Sequence, residues 1–189
     1  MQVETTRIPG VLLLHPRVFE DARGAFFESF SERDFAAAGL SVRFVQDNES
    51  TSRYGVVRGL HFQRAPFAQA KLVRVSQGRI LDVAVDLRRG SPTFGCSVSA
   101  ELSAENHCQM FIPQGFAHGF SVLSPEATVQ YKCDAFYAPE SAGGICWCDP
   151  DLVIDWGLPK EEIILSEADT RRPLLRELPE SELFEYTKE

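Results

Sequence analysis

The feature that constrains the fold most is a series of short apolar segments with period-two alternation, separated by turn residues, that follows Tyr54. In the clearest of them, residues 81–87, leucine and valine side chains alternate with Asp82, Ala84 and Asp86. This alternation predicts a strand with one buried and one exposed face. Similar segments recur at 98–102, 110–112, 120–123 and 128–133. Strands at this spacing predict an antiparallel β-sandwich or barrel.

The N-terminal part predicts two strands and one helix. Residues 11–14 and 25–30 are strand-like, and residues 21–24 (DARG) have turn chemistry. Ser31 is a favourable N-cap, acidic residues follow it, and Gly39 is a typical stop. We therefore expect a short N-terminal helix between these two residues.

The remaining segments complete one predicted domain. Residues 42–45 are strand-like, and the polar cluster Gln46, Asp47 and Asn48 follows them. The sequence contains neither repeats nor long linkers, so we expect a single domain over residues 1–189, with a core at about 8–175. The tail, residues 176–189, is charged and predicts a short helix with a frayed end.

Charge and hydropathy exclude several classes of partner. The chain has 189 residues, a formal net charge of −8 and a pI of about 5.1, which argues against binding to duplex nucleic acid. No apolar run approaches the roughly 18 residues that span a membrane, and the N-terminus lacks a signal-peptide pattern. We expect a soluble, cytoplasmic protein.

Five cysteines at irregular spacing do not predict a disulfide framework. The pair Cys146 and Cys148 would place two thiols on one strand face, but no second pair completes a zinc site. We expect reduced, buried thiols.

Residues 54–75 contain the first candidate site. His61 is a potential general base, and Arg58 and Lys71 are cations close to it in sequence. A regular strand would place Arg58 and His61 on opposite faces, but Gly59 between them permits a bulge. Lys71 opens a strand-like run, KLVRV. The alternative for His61, beside apolar neighbours, is a hydrogen-bonded core residue.

A second candidate segment contains Pro113, Gly115 and His118, which resemble half of the cupin signature PxGxxH. Cupins are small jelly-roll barrels that usually hold a metal ion. The other half of the signature reads His61-Phe-Gln63, so its second histidine is missing. Two imidazoles without a further ligand form a poor metal site, and we expect no bound metal. Both histidines can still line one interior.

Two further residues have alternative interpretations. Tyr131 alternates with apolar neighbours, so its phenol points inward, either as a core residue or as a general acid. Asp169 follows Ser166 at capping distance, which is typical of a helix start. Its carboxylate could instead orient His61, and spacing alone does not decide between these roles.

The whole chain resembles the dTDP-4-dehydrorhamnose 3,5-epimerases. The motifs that carry this resemblance run in order from about residue 8 to residue 175: RGLHFQ, KLVRV, DVAVDLRRGSPTFG, LSAEN, IPQGFAHGF, Tyr131-Lys132 and LSEAD. The resemblance implies an all-β, cupin-like jelly roll with a short N-terminal helix and short C-terminal helices. It also implies a cofactor-independent isomerase that is usually a homodimer and acts in dTDP-L-rhamnose synthesis.

The resemblance also implies roles for individual residues. His61 would be the base, Asp169 its partner, Tyr131 the acid on the opposite sugar face, and Lys71 the residue that stabilises the enolate. The segment from Arg23 to Glu28 would come from the dimer partner, as an exchanged N-terminal strand. Positions expected to contact the dTDP-4-keto-6-deoxy sugar are Arg23, Glu28, Gln46, Asp47, Asn48, Arg58, His118 and Tyr137, of which the last would stack on thymine.

Two positions depart from the family pattern, and they leave the exact ligand open. Ala142 replaces a common glutamate, and Ala168 replaces a common lysine. The alternatives are an epimerase that acts at only one carbon or on a related 4-keto sugar, a metal-dependent cupin, and a non-catalytic sugar-nucleotide-binding barrel.

Overall fold

The computed structural model describes residues 1–187, and it is built mainly of β-strands. The elements in chain order are β1 Gln2–Thr5, β2 Leu12–His15, β3 Val18–Asp21, β4 Gly24–Phe27, α1 Glu32–Ala37, β5 Gln46–Arg53, β6 Val57–Gln63, β7 Lys71–Gln77, β8 Arg79–Asp86, β9 Arg88–Arg89, β10 Ser97–Ser103, β11 Gln109–Ile112, β12 Phe116–Val122, β13 Glu126–Cys133, β14 Ala142–Gly144 and β15 Phe184–Glu185. Short 3₁₀ helices occupy Pro139–Ser141, Lys160–Glu162, Asp169–Arg171, Leu175–Glu177 and Glu180–Glu182.

Eleven of the described strands form two antiparallel sheets, and β3–β4 and β9–β15 form separate pairs. One has six strands in the order β1-β2-β11-β7-β13-β5, and the other has five in the order β10-β8-β12-β6-β14. The main core lies between them, because residues such as Val73 and Val129 of the first sheet cluster with Ala84 and Phe120 of the second. Within residues 1–187, no helix is both long and apolar enough to cross a membrane. The structure thus confirms a largely antiparallel, all-β fold with a short N-terminal helix.

Further layers cover the outer faces of both sheets. Phe35 of α1 packs with Leu72 and Phe111 on the outside of the six-stranded sheet. On the outside of the five-stranded sheet, Trp156 and Leu175 from the C-terminal part pack against the sheet's apolar side chains. The fold therefore buries apolar side chains in three places, which favours strands that are buried on both faces.

The structure of β8 differs from the expectation that one face of this strand is exposed. The strand is present, but the face that carries Asp82 and Asp86 is buried rather than exposed, since both aspartates are completely inaccessible. The physical reason is that the leucine and valine face packs under the C-terminal part, which leaves the aspartate face to point between the sheets. There Asp86 accepts hydrogen bonds from Arg88, and Oδ1 of Asp82 lies 2.7 Å from Nε2 of His118, whereas Oδ2 of Asp82 is buried without a partner among the described residues.

The register between β6 and β12 confirms the predicted irregularity at Gly59. His118 pairs with His61, whereas Phe120 pairs with Arg58, so the ladder shifts at this point. Gly59 has φ +135°, and an added Cβ there would lie 2.5 Å from Cα of Gly119. Only glycine fits this close approach of two strands, and the shift sets the direction in which His61 points.

The N-terminal predictions are largely confirmed. Ser31 caps α1 by accepting a hydrogen bond from the backbone N–H of Asp34, and Gly39 follows the helix with φ +82°. Residues 42–45 are irregular rather than a strand, because Val42 and Phe44 pack beside α1. The regular ladder begins only at β5.

The tail is packed as far as residue 187, so a frayed end is wrong for this part, and residues 188–189 lie outside the described residues. The ring of Phe184 packs edge-on against Phe62, and Glu182 pairs with Arg64 at 2.9 Å. The predicted short C-terminal helices are present as 3₁₀ turns.

The five cysteines have free thiols. Cys108 and Cys133 are buried as expected, but Cys96 and Cys148 are exposed. Cys146 and Cys148 lie at a turn rather than on a strand face, with their sulfurs 3.4 Å apart.

Candidate active site

A cavity of about 370 Å³ opens at the ends of β5, β6, β7 and β13, next to β14. It brings together residues that are far apart in the sequence. Its wall contains two cations and, among the described residues, no carboxylate. The lining residues are Gln46, Asn48, His61, Phe62, Gln63, Gln69, Lys71, Tyr131, Tyr137, Ala142, Gly143 and Arg172.

His61 lies in this wall, and its imidazole is hydrogen-bonded to Asp169 on the side away from the cavity. Nε2 of His61 lies 2.5 Å from Oδ1 of Asp169, and the carboxylate is almost fully buried while the imidazole is 41% exposed. Oδ2 of Asp169 accepts a hydrogen bond from the Ser166 hydroxyl, and Asp169 also begins a 3₁₀ helix. Both interpretations of Asp169 therefore apply, each through a different oxygen. Nδ1 of the imidazole is left for a ligand.

The electrostatics of Asp169 favour the carboxylate form. Burial alone would raise its pKa, but hydrogen bonding and charge from His61, the Ser166 hydroxyl and the charge of Arg172 outweigh burial and lower the pKa. The carboxylate can therefore hold the imidazole in one tautomer and offset an imidazolium charge.

Lys71 and Tyr131 lie on neighbouring strands in the same cavity. Lys71 begins β7, as predicted, and its Nζ lies 6.0 Å from the centre of the Tyr131 ring. Burial lowers the pKa of Lys71, against the opposing influence of Cys133 and Asp82. Burial raises the pKa of Tyr131, and Cys133 adds to this effect while Arg58 opposes it. The phenol therefore keeps its proton at neutral pH.

His118 is the cross-strand partner of His61 but is not among the residues that line the cavity, and its contact with substrate stays a prediction. It is buried, and its Nε2 lies 2.7 Å from Oδ1 of Asp82. Burial lowers the pKa of His118, although the Asp82 charge opposes this. Within residues 1–187, no three His, Cys, Asp or Glu side chains are grouped so as to hold a metal ion.

The polar cluster at the start of β5 is divided between two faces. Gln46 and Asn48 line the cavity, and their side chains are hydrogen-bonded to each other at 2.9 Å. Asp47 points to the opposite face and pairs with Lys132 at 2.9 Å. Asp47 therefore does not line this cavity, because successive side chains alternate between the two faces of a strand, and its contact with the nucleotide sugar stays a prediction.

The other predicted contacts lie at the rim or away from it. Tyr137 lines the cavity with 62% of its surface exposed, and its N–H donates to Oε1 of Gln46. Arg58 donates to the Ser52 hydroxyl and is not among the lining residues. Arg23 and Glu28 are exposed and belong to the β3–β4 hairpin and its continuation, outside this cavity.

Sequence reasoning missed Gln63, Gln69 and Arg172. Gln63 donates to the carbonyl oxygens of Phe67 and Phe136 and accepts from the N–H of Ala138, so it fixes the loop that presents Tyr137. Its even separation from His61 on one strand was the available signal. Arg172 had no such signal, because it lies in an irregular segment.

Comparison with known proteins shows the family of the chain. The sequence model of the dTDP-4-dehydrorhamnose 3,5-epimerase family matches residues 5–177. A dTDP-4-dehydrorhamnose 3,5-epimerase of Methanothermobacter thermautotrophicus is 53% identical, over 92% of this chain and 94% of the relative.

Two solved structures extend the comparison. A dTDP-6-deoxy-D-glucose-3,5-epimerase from Legionella pneumophila, in complex with dTDP-4-keto-L-rhamnose, is 45% identical with a TM-score of 0.95 and covers 99% of each chain. A double mutant of a 3'-monoepimerase from Streptomyces bikiniensis, in complex with dTDP, is 32% identical with a TM-score of 0.90, over 96% of this chain and 92% of that one.

Proposed function

Because the chain belongs to the dTDP-4-dehydrorhamnose 3,5-epimerase family, we propose that it inverts C3 and C5 of dTDP-4-dehydro-6-deoxy-D-glucose. The product is dTDP-4-dehydro-L-rhamnose. The observation that carries this proposal is the convergence of His61, braced by Asp169, with Lys71 and Tyr131 on one cavity. These groups supply a base, a cation and an acid to one bound sugar.

The base in this proposal is Nδ1 of His61. The hydrogens at C3 and C5 are both α to the C4 ketone, so one set of groups can serve both carbons. An imidazole is a weak base for such a proton, and the reaction therefore depends on stabilising the charge that it creates. Asp169, with its lowered pKa, stabilises the imidazolium that forms.

Lys71 accounts for the stabilisation of the enolate oxygen. Its ammonium group lies within a largely buried environment, where a charge interaction is stronger than in water. Loss of one such donor typically costs about 3–4 kcal/mol of activation free energy.

Tyr131 acts as the acid in this proposal. Inversion requires a proton to reach the face opposite the base, so a second group is needed. The raised pKa of Tyr131 keeps the phenol protonated until the basic carbon of the enolate takes the proton. Gln46, Asn48 and Tyr137 line the same cavity, and in this proposal they contact the sugar and the base of the nucleotide.

A homodimer completes the site in this proposal. The β3–β4 hairpin presents Phe26, which is 71% exposed, beside Arg23 and Glu28. An apolar side chain with this exposure on a protruding strand is suited to pack on a second copy. The exchanged hairpin would bring Arg23 and Glu28 to the partner's cavity, and Arg58 would contact the nucleotide sugar from β6. The two facing sheets form one cupin-like jelly-roll domain over residues 1–189.

The second candidate is an epimerase that inverts only one carbon. It is favoured by the similarity to a 3'-monoepimerase, at a TM-score of 0.90. Both activities need the same base, so the product distinguishes them.

Incubation with dTDP-4-keto-6-deoxyglucose in heavy water, read by mass spectrometry and NMR, tests the proposal. We expect deuterium at C3 and C5 of a doubly inverted product. His61→Asn should abolish both exchanges, whereas His15→Asn should behave like the wild type, because His15 pairs with Glu4 away from the cavity. Exchange that persists undiminished in His61→Asn would exclude His61 as the base. Exchange and inversion at a single carbon in the wild type would select the second candidate.

A further inference from the structure

The charge of the cavity wall differs from that of the whole chain. The protein has a net charge of −8, yet the described wall carries Lys71 and Arg172 and no carboxylate. The Asp169 carboxylate lies behind the imidazole of His61 and does not line the cavity. A local excess of positive charge of this kind suits an anionic ligand.

Arg172 contributes a buried guanidinium nitrogen that has no hydrogen-bond partner among the described residues. Its Nε is buried and makes no hydrogen bond to any residue in 1–187, and the guanidinium takes part in none of the ion pairs in that part of the chain. A buried guanidinium nitrogen without a partner is costly, and a bound ligand can remove that cost.

Gly144 explains how Arg172 reaches the wall. A Cβ added at Gly144 would lie 2.9 Å from Nε and 3.1 Å from Cδ of Arg172. The absence of a side chain at this position on β14 therefore leaves the space that the arginine occupies. Because Gly144 is the cross-strand partner of His61, the arginine is held close to the base without hydrogen-bonding to it.

We propose that Arg172 binds the diphosphate group of the nucleotide sugar. This inference rests on the proposed function for the identity of the ligand. The sugar ring must lie between His61 and Tyr131 with its ketone oxygen at Lys71. Lys71 is then occupied by the ketone oxygen and does not serve the diphosphate. Arg172 is then the remaining cation of the wall, and its forked N–H groups match phosphate oxygens in pairs. Arg172 is a specificity-determining residue for nucleoside diphosphates.

Titration calorimetry with dTDP, on Arg172→Gln and on the matched variant Arg171→Gln, tests the inference. Arg171 is exposed and pairs with Glu167 at the surface, so Arg171→Gln should bind dTDP like the wild type. Arg172→Gln should bind dTDP about 10- to 100-fold more weakly, as expected for loss of a charged hydrogen-bonding group. Arg172→Lys keeps the positive charge but loses the forked N–H groups, so its affinity for dTDP should lie between those of Arg172→Gln and the wild type.

Steady-state kinetics separates this role from an effect on Asp169. A raised KM with kcat close to that of the wild type is expected when binding energy is lost equally from the ground state and the transition state. A loss of kcat in Arg172→Gln and Arg172→Lys with unchanged dTDP affinity would overturn the inference. If the wild type failed to epimerise but Arg172→Gln still weakened dTDP binding, the proposed function would fall and the diphosphate contact would stand.

Discussion

His61 and His118 are direct cross-strand partners, and each imidazole is paired through Nε2 with its own buried aspartate. The consequence is a division of roles. His61 is 41% exposed and reaches the cavity, whereas His118 is buried with Asp82 and does not. Two similar pairs on neighbouring strands thus provide one candidate base and one structural contact.

Asp169→Asn should lower kcat by about 10²-fold or more, because the amide can neither fix the imidazole tautomer nor offset its positive charge. Deuterium exchange at C3 and C5 should fall in parallel. Ser166→Ala removes the hydrogen bonds that Ser166 makes with the other carboxylate oxygen and the backbone N–H of Asp169 but leaves the contact with His61, so its effect should be smaller. Equal kcat values for wild type and Asp169→Asn would show that the pair has no part in catalysis.

Tyr131→Phe should reduce the formation of inverted product more than it reduces deuterium exchange. The reason is that the base still removes protons while the acid on the other face is missing. Tyr54→Phe is the matched control, since its hydroxyl binds Glu162 at the surface. Normal rates of double inversion in Tyr131→Phe would assign the acid to another group.

Mixing two inactive variants tests the exchanged hairpin. If Arg23 completes the partner's cavity, a random mixture of Arg23→Ala and His61→Asn should regain about a quarter of wild-type activity, because each mixed dimer then has one intact site. Sedimentation must show that mixed dimers form. Mixed dimers without activity would place Arg23 at the cavity of its own chain rather than the partner's, and a monomeric wild type would remove the dimer from the proposal.

Asp86 should link stability to acid pH. Burial favours its protonated form, but hydrogen bonds from Arg88, Thr93 and Ser91 outweigh this and lower the pKa below 3.8. A group whose folded pKa is depressed stabilises the fold above its unfolded pKa, and that contribution is lost as pH falls through the folded pKa.

Asp86→Asn should therefore lower the free energy of unfolding at pH 7 by about 3 kcal/mol. Below pH 4, the free energy of unfolding of this variant should fall less steeply with decreasing pH than that of the wild type. Urea titrations between pH 7 and pH 2 provide the measurement. Asp155→Asn, at an exposed turn, should follow the wild type. If the free energy of unfolding of Asp86→Asn fell below pH 4 as steeply as that of the wild type, other carboxylates would be responsible for the acid sensitivity.

Much of the site could be predicted from local sequence. Individual residues show which features could not. The strand that starts at Lys71, the inward direction of Tyr131 and the irregularity at Gly59 follow from alternation and glycine chemistry, and the structure confirms them. Asp47 marks the limit, because only the structure shows that its segment is a strand on which its side chain points away from Gln46 and Asn48.

The sequence by itself determined the all-β class, the short helix, the family and the residue types available for proton transfer. Only the tertiary structure decided that Asp169 meets His61 across 108 positions, that the aspartate face of β8 is interior, and that Arg172 enters the cavity wall. The physical reason is that periodicity records which side chains share a face, whereas contacts between distant segments depend on which layer covers that face.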